Sequence, residues 1–224
     1  MATIKVVDII DRAVVVLNDT TNVRWTKSEL LLWFNDGQRA VVNRRPDANA
    51  VNDDLTCVLG TKQAIPATGL RLLKVIRNTG GKAITHIRQD ILDEQVRDWH
   101  DDSTPTSDVR HFIFDDRDPK NFYLYPAPAA SHQVEILYST APADVTVSDF
   151  DTDTQTISLD DTYANAILDY ILFRAYSKDA EYAQNAQRAA NHLQIFESAL
   201  GMVTQADMAA SANGQGMGQS PERR

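Results

Sequence analysis

Apolar residues recur every three or four positions at both ends of this 224-residue chain and every second position through its middle. The first spacing belongs to one face of a helix and the second to one face of a strand. No single kind of element satisfies both, so the termini must supply helices and the centre a sheet. Near the start, Ile4, Val7, Ile10, Val14 and Leu17 step by three and four, and Thr3 stands where a helix cap is expected. The stretch "TKSE" at 26–29 is a capping box, in which Thr26 accepts from the Glu29 amide while Glu29 reaches back. The helix it opens must stop before Pro46, because a residue preceding proline avoids helical geometry. Its opening run, Leu30 to Phe34, is apolar all the way round. That predicts burial on several sides, against the chain's own bundle or against a neighbouring subunit.

From Pro46 to about Asp160 the pattern changes to short β-branched or alternating runs. They are "LTCVL" at 55–59, "KQAI" at 62–65, "LLKVIRN" at 72–78, "AITHI" at 83–87, "VRHFIF" at 109–114, "NFYLY" at 121–125 and "QVEILYS" at 133–139. Turn sequences, notably "NTGG" at 78–81 and "DDRDP" at 115–119, separate them. This predicts an antiparallel sheet or small sandwich. One helix, "DILDEQVRDWH" at 90–100, interrupts it. Its apolar members Ile91, Leu92, Val96 and Trp99 suit either a cover for the sheet or a partner.

Asp160 or Asp161 then caps a helix through "TYANAILDYILFRAYS". Another follows, in which Tyr182, Ala186, Ala189, Leu193, Phe196 and Leu200 form the seam of an antiparallel hairpin, and Gly201 is expected to close it in the left-handed conformation. The expected fold class is α+β. An antiparallel bundle of N- and C-terminal helices carries an inserted antiparallel β module and an extended C-terminal tail. The boundaries read as 1–45 and 159–201 for the bundle, 46–158 for the β module and 202–224 for the tail.

Little chemistry is written in the chain. No phosphate loop, dinucleotide-binding glycine pattern, nucleophile elbow, metalloprotease helix or paired-cysteine motif is present. No two of the five histidines stand at i, i+4 on an expected helix, and no cofactor is implied. The single cysteine, Cys57, lies among Leu55, Val58 and Leu59 and reads as a small buried residue. His100, Asp101 and Asp102, with Asp115, could bind a divalent metal and activate water, which makes a metal-dependent hydrolase or nuclease the alternative reading. The competing view is that both acidic clusters are hydrophilic loops. A carbohydrate- or receptor-binding β module is a third possibility, although the aromatics of "HFIF" and "FYLY" alternate as core residues do.

Charge narrows the partners. The 31 acidic and 22 basic residues give a net charge of −9, unsuited to gripping nucleic acid yet compatible with a wall past which DNA slides. Lys27, Arg39, Arg44 and Arg45 give the second helix a basic side, either solvated or facing phosphate. Lys5, Asp8, Asp11 and Arg12 interrupt the apolar N-terminus, so neither a signal core nor a membrane span is expected.

The final stretch, "MAASANGQGMGQSPERR", has no aliphatic or aromatic anchor beyond its methionines. Such a composition specifies no fold of its own, so any fixed shape it takes is expected to be borrowed from a foreign protein.

Four segments, in order, resemble the tailed-phage head-to-tail adaptor proteins, also called head-completion or connector proteins. They are "WTKSELLLWFNDGQRAVVNRRPDA" (Trp25 to Ala48), "LGTKQAIPATGLRLLKVIRN" (Leu59 to Asn78), "NFYLYPAPAASHQVEILYSTAPAD" (Asn121 to Asp144) and the stretch from Ile157 to Gly201. The interval from Ile84 to Arg110 lies outside the resemblance. The family implies a ring, usually of twelve subunits, beneath the portal protein, with the tail nozzle or tail tube docked below and packaged double-stranded DNA passing through. It implies assembly in the host cytoplasm, a final place in the virion neck, and no enzymatic role. It also implies a C-terminal extension lodged on the portal, which assigns Met202, Met208, Met217, Pro221, Arg223 and Arg224 to portal binding. Leu31, Trp33, Phe34, Tyr163, Tyr170 and Phe173 are then expected at helix contacts between subunits, and Lys27, Arg39, Arg44 and Arg45 along the channel.

Overall fold

The structure is a computed structural model that describes residues 2–100, 104–182 and 184–210, with side chains up to Met202. The chain divides into two compact units, one drawn from Met1–Arg45 and Ala143 onward, the other from Pro46–Pro142.

The first unit is helical: α1 (Val6–Leu17), α2 (Lys27–Arg44), α4 (Ala164–Lys178) and α5 (Asn185–Ala210). Helix α1 buries the stripe Val6, Ile9, Ile10 and Ala13, all at 0% exposure. Its start differs from expectation. Lys5 is the capping residue and offers no side-chain cap, while Thr3 donates its amide (2.9 Å) and hydroxyl (2.6 Å) to Asp161. Thr26 caps α2 as the sequence predicts, accepting from the Glu29 amide at 3.3 Å. The return half of the box is spent elsewhere, since the Glu29 carboxylate takes Lys178 at 2.7 Å.

Helix α4 packs against α1, α2 and α5, which is why its buried residues, Ile167, Ile171, Leu172 and Ala175 among them, spread round much of its circumference. Gly37 of α2 makes the α2–α4 approach close: a Cβ there would sit 3.2 Å from Tyr170 and 3.3 Å from Ile167. The α4–α5 hairpin is fastened by His192 to Asp169 at 2.9 Å and by the Tyr170 and Phe196 rings at 5.4 Å. Its seam runs through Asn185, Ala189, Phe196 and Leu200. Tyr182 is exposed instead, because α5 begins only at Asn185, and Ala186 is exposed because Asn185 beside it takes the buried face of the first turn. The expected closure at Gly201 also fails: α5 continues to Ala210 with Gly201 inside it. A helix interior tolerates glycine at a modest cost, so an isolated glycine is a weak stop signal.

The polar segment after Ala143 belongs with the helices, not with the β strands. Two buried amides of α2 hold it. The Asn35 side chain donates to the Val145 carbonyl (3.0 Å) and accepts from the Val145 amide (2.9 Å), and Gln38 accepts from the Ser158 amide (2.8 Å). Each buried polar group thereby finds a partner.

The second unit is built on two sheets. Strands β1 (Ala50–Thr56), β7 (Gln133–Thr140) and β3 (Gly69–Asn78) form one in the order β1-β7-β3, antiparallel throughout. Strands β2 (Lys62–Ala64), β6 (Asn121–Tyr125), β5 (His111–Ile113) and β4 (Thr85–His86) form the other in the order β2-β6-β5-β4. One pair departs from the antiparallel expectation, since β4 lies parallel to β5. Leu72, Val75, Phe122, Leu124, Val134 and Ile136 share the core. Along β6, Phe122 and Leu124 belong to that core, while Tyr123 and Tyr125 pack with Leu92, Trp99 and Ile113. Helix α3 (Gln89–Gln95) with its following turn is therefore the sheet cover, and Trp99 is held by a 2.8 Å bond from its indole to Asp93.

Candidate functional site

The residues of the metal-hydrolase reading do not assemble among the described residues. His100 shares a 2.9 Å hydrogen bond with Thr61, and its ring lies 3.6 Å from that of Trp99. Asp115 caps the β5–β6 turn, accepting from the Arg117 amide at 2.9 Å. Asp101 and Asp102 lie outside the described residues. No group of three metal-ligating side chains converges among the described residues. Cys57 is buried, and burial pushes its thiol up to about 11, far from the thiolate a nucleophile requires.

A cleft of about 740 Å³ lies open between α3 and the β5–β6 turn, lined by His86, Arg88, Asp90, Phe114, Asp115 and Asp116 among others. Its ions are matched within the chain: Arg88 pairs with Asp90, and Asp116 with Arg71 at 2.5 Å. Such a cleft lacks the convergent, unspent polar groups that a substrate site needs.

The basic side of α2 is likewise spent internally. Lys27 pairs with Asp11 at 2.8 Å, Arg39 with Asp36 at 2.9 Å and Asp144 at 2.5 Å, and Arg44 with Glu197 at 2.6 Å. Arg45 is buried at 6% exposure, its guanidinium 5.9 Å from the Tyr163 ring centroid.

Of the six residues expected between subunits, Trp33, Phe34 and Tyr163 are buried in the chain's own helical core, because α2 and α4 already enclose them. Leu31, Tyr170 and Phe173 are half-buried. The apolar side chains turned outward are others: Val15 (71% exposed), Val16 and Leu32 on the helices, Val58 and Leu59 in the β unit. Val15 and Val16 carried a signal, for "AVVVL" continues apolar past the stripe that α1 needs for its core. Met202 is exposed on α5. Met208 lies in that helix without a described side chain, and Met217, Pro221, Arg223 and Arg224 fall outside the described residues.

The described surface thus presents outward aliphatic side chains instead of a convergent polar site. Residues 4–217 match the family described as SU10 adaptor protein, and the chain belongs to that family. This makes it a phage adaptor, a structural component of the virion neck that contacts other virion proteins. No curated protein matches the chain. None of the described helices is long and apolar enough to cross a membrane.

Proposed function

We propose that the protein is the head-to-tail adaptor of a tailed phage, forming a ring of twelve subunits between the portal protein and the tail nozzle or tail tube. The ring extends the channel through which packaged double-stranded DNA passes. The observation that carries this reading is the family match over residues 4–217. The net charge of −9 and the internal pairing of Lys27, Arg39 and Arg44 support a wall that does not hold DNA. Leu31, Tyr170 and Phe173, half-buried in the single chain, are available to subunit contacts.

In this reading the C-terminal segment fastens the ring to the portal. Met202, Met208 and Met217 fill irregular apolar pockets, Pro221 limits the disorder lost on docking, and Arg223 and Arg224 pair with carboxylates. Repetition round a ring turns weak contacts into a lasting attachment. The test is a pull-down with purified portal rings, using the whole chain and a variant ending at Ala210. The whole chain should be retained and the shortened one lost while keeping its helical and β circular-dichroism signal. Equal retention of the two would refute the assignment of the segment.

A further inference from the structure

The turn between β1 and β2 places two adjacent aliphatic side chains in water: Val58 is 61% exposed and Leu59 66%. The turn that presents them is rigidly tied. Gln63, buried at 2% exposure, accepts from the Val58 amide (2.9 Å) and donates to the Val58 (2.9 Å) and Gly60 (2.8 Å) carbonyls. The preceding Cys57 is clamped through its amide to His132 (2.7 Å) and through its carbonyl to Ser131 (3.2 Å). Gly60 adopts φ +101°, which other residues reach only with strain. A buried amide whose hydrogen bonds all go to one turn fixes the shape of that turn. What it holds is an apolar knob ordered before anything binds it, so little entropy is lost on docking.

The same chain carries a second, different apolar feature. Val15 and Val16 of α1 and Leu168 of α4 line an open groove of about 620 Å³, rimmed by Asp8, Asp11 and Arg12. On that rim Asp11 is paired with Lys27, while among the described residues Asp8 and Arg12 have no ion-pair partner, and neither has Lys62, the exposed lysine three residues beyond Leu59. A closed ring of identical subunits needs two unlike, complementary patches on every copy. Knob and groove are unlike, are built from different residues, and offer an unpaired lysine, Lys62, beside the one and an unpaired aspartate, Asp8, on the rim of the other.

We propose that Val58 and Leu59 of one copy seat in the Val15–Val16–Leu168 groove of a second copy, with Lys62 meeting Asp8. This rests on the ring reading above and names the contact that closes the ring. Leu59 and Val58 are the aliphatic anchors, and the charged rim fixes register.

The test uses the full chain, alone and with portal rings, followed by native mass spectrometry and thermal melting. Leu59→Asp and Val16→Asp should each weaken assembly at least about tenfold while leaving the melting midpoint of the subunit unchanged, because both positions are exposed. A short bismaleimide should join a Leu59→Cys copy to a Val16→Cys copy in a mixture, and join neither to itself; Cys57 is buried and does not compete. Variants that assemble like the parent would overturn the knob contact and leave the ring reading standing. A parent chain that stays monomeric with and without portal overturns both. Cross-linking of the Leu59→Cys copy to the portal instead of to a second copy overturns the second copy as occupant.

Discussion

The carboxylate of Asp161, beside the first turn of α4, receives the Thr3 hydroxyl at 2.6 Å and the Thr3 and Ile4 amides at 2.9 and 3.1 Å. Two positions 158 residues apart are thereby joined just before the starts of α1 and α4. The hydroxyl bond is the largest of the influences that hold Asp161 below the usual carboxylate value of 3.8, followed by the two amides. A depressed carboxylate contributes stability above its unfolded value, and loses it as pH falls through its folded value. Asp161→Asn should therefore lower the melting midpoint at neutral pH and shrink that difference below pH 3.8. Melting curves of both proteins across the acid range check it.

The indole of Trp25 donates to the carbonyl of Ala175 at 3.0 Å, satisfying one of the last four carbonyls of α4 that the helix itself leaves without a donor. Trp25→Phe keeps most of the apolar contact and removes the donor. It should cost about 1–2 kcal/mol, measured by chemical denaturation. Trp25→His, if it restores a donor at that distance, should recover part of the loss.

Gly201 gives a prediction of opposite sign. Nothing lies within 4 Å of a Cβ built there, and the residue is inside α5. Gly201→Ala should stabilise by about 0.5–1 kcal/mol. The same change at Gly37 should gain less, because its Cβ would crowd Tyr170 and Ile167. Were Gly201 a left-handed helix end, alanine would instead destabilise.

Burial holds His132 below its ordinary value of 6.5 against the opposing pull of Asp108. Its Nε2 faces the Asn78 side-chain oxygen at 2.8 Å, and Asn78 also receives the Val109 amide at 3.0 Å. The unfolded chain takes up the proton first as pH falls, so stability is full above pH 6.5 and declines as pH drops through the folded value. His132→Gln should flatten that decline. Asn78→Ala, which strands several buried groups together, should cost about 2–4 kcal/mol at any pH. Denaturation at pH 7.5 and 5.5 separates the two effects.

Most strands were legible because they are short and bracketed by turn residues; β6 matches the expected 121–125 residue for residue. The run expected at 55–59, by contrast, is strand only as far as Thr56, since β1 begins at Ala50 and Val58 and Leu59 fall in the turn that follows. Sheet membership was not legible, since pairing β7 between β1 and β3 depends on contacts far apart in sequence. The Thr3 error has the same origin: a threonine before an apolar stripe looks like a cap until a distant aspartate claims it. At the interaction surface, the all-round apolar run Leu30 to Phe34 could be assigned either to the bundle or to a subunit contact. Only the burial of Leu30 and Phe34 at 0%, with Leu32 at 65%, decides between them. The Val58–Leu59 knob was hidden because its rigidity comes from Gln63, whose burial no local pattern announces.

The central claim is that this chain builds a ring on the portal. Electron microscopy of portal rings incubated with the full-length chain tests it most directly. The account predicts one further layer of density, coaxial with each portal and divisible into twelve copies. Portal particles unchanged beside free monomeric chain would contradict it.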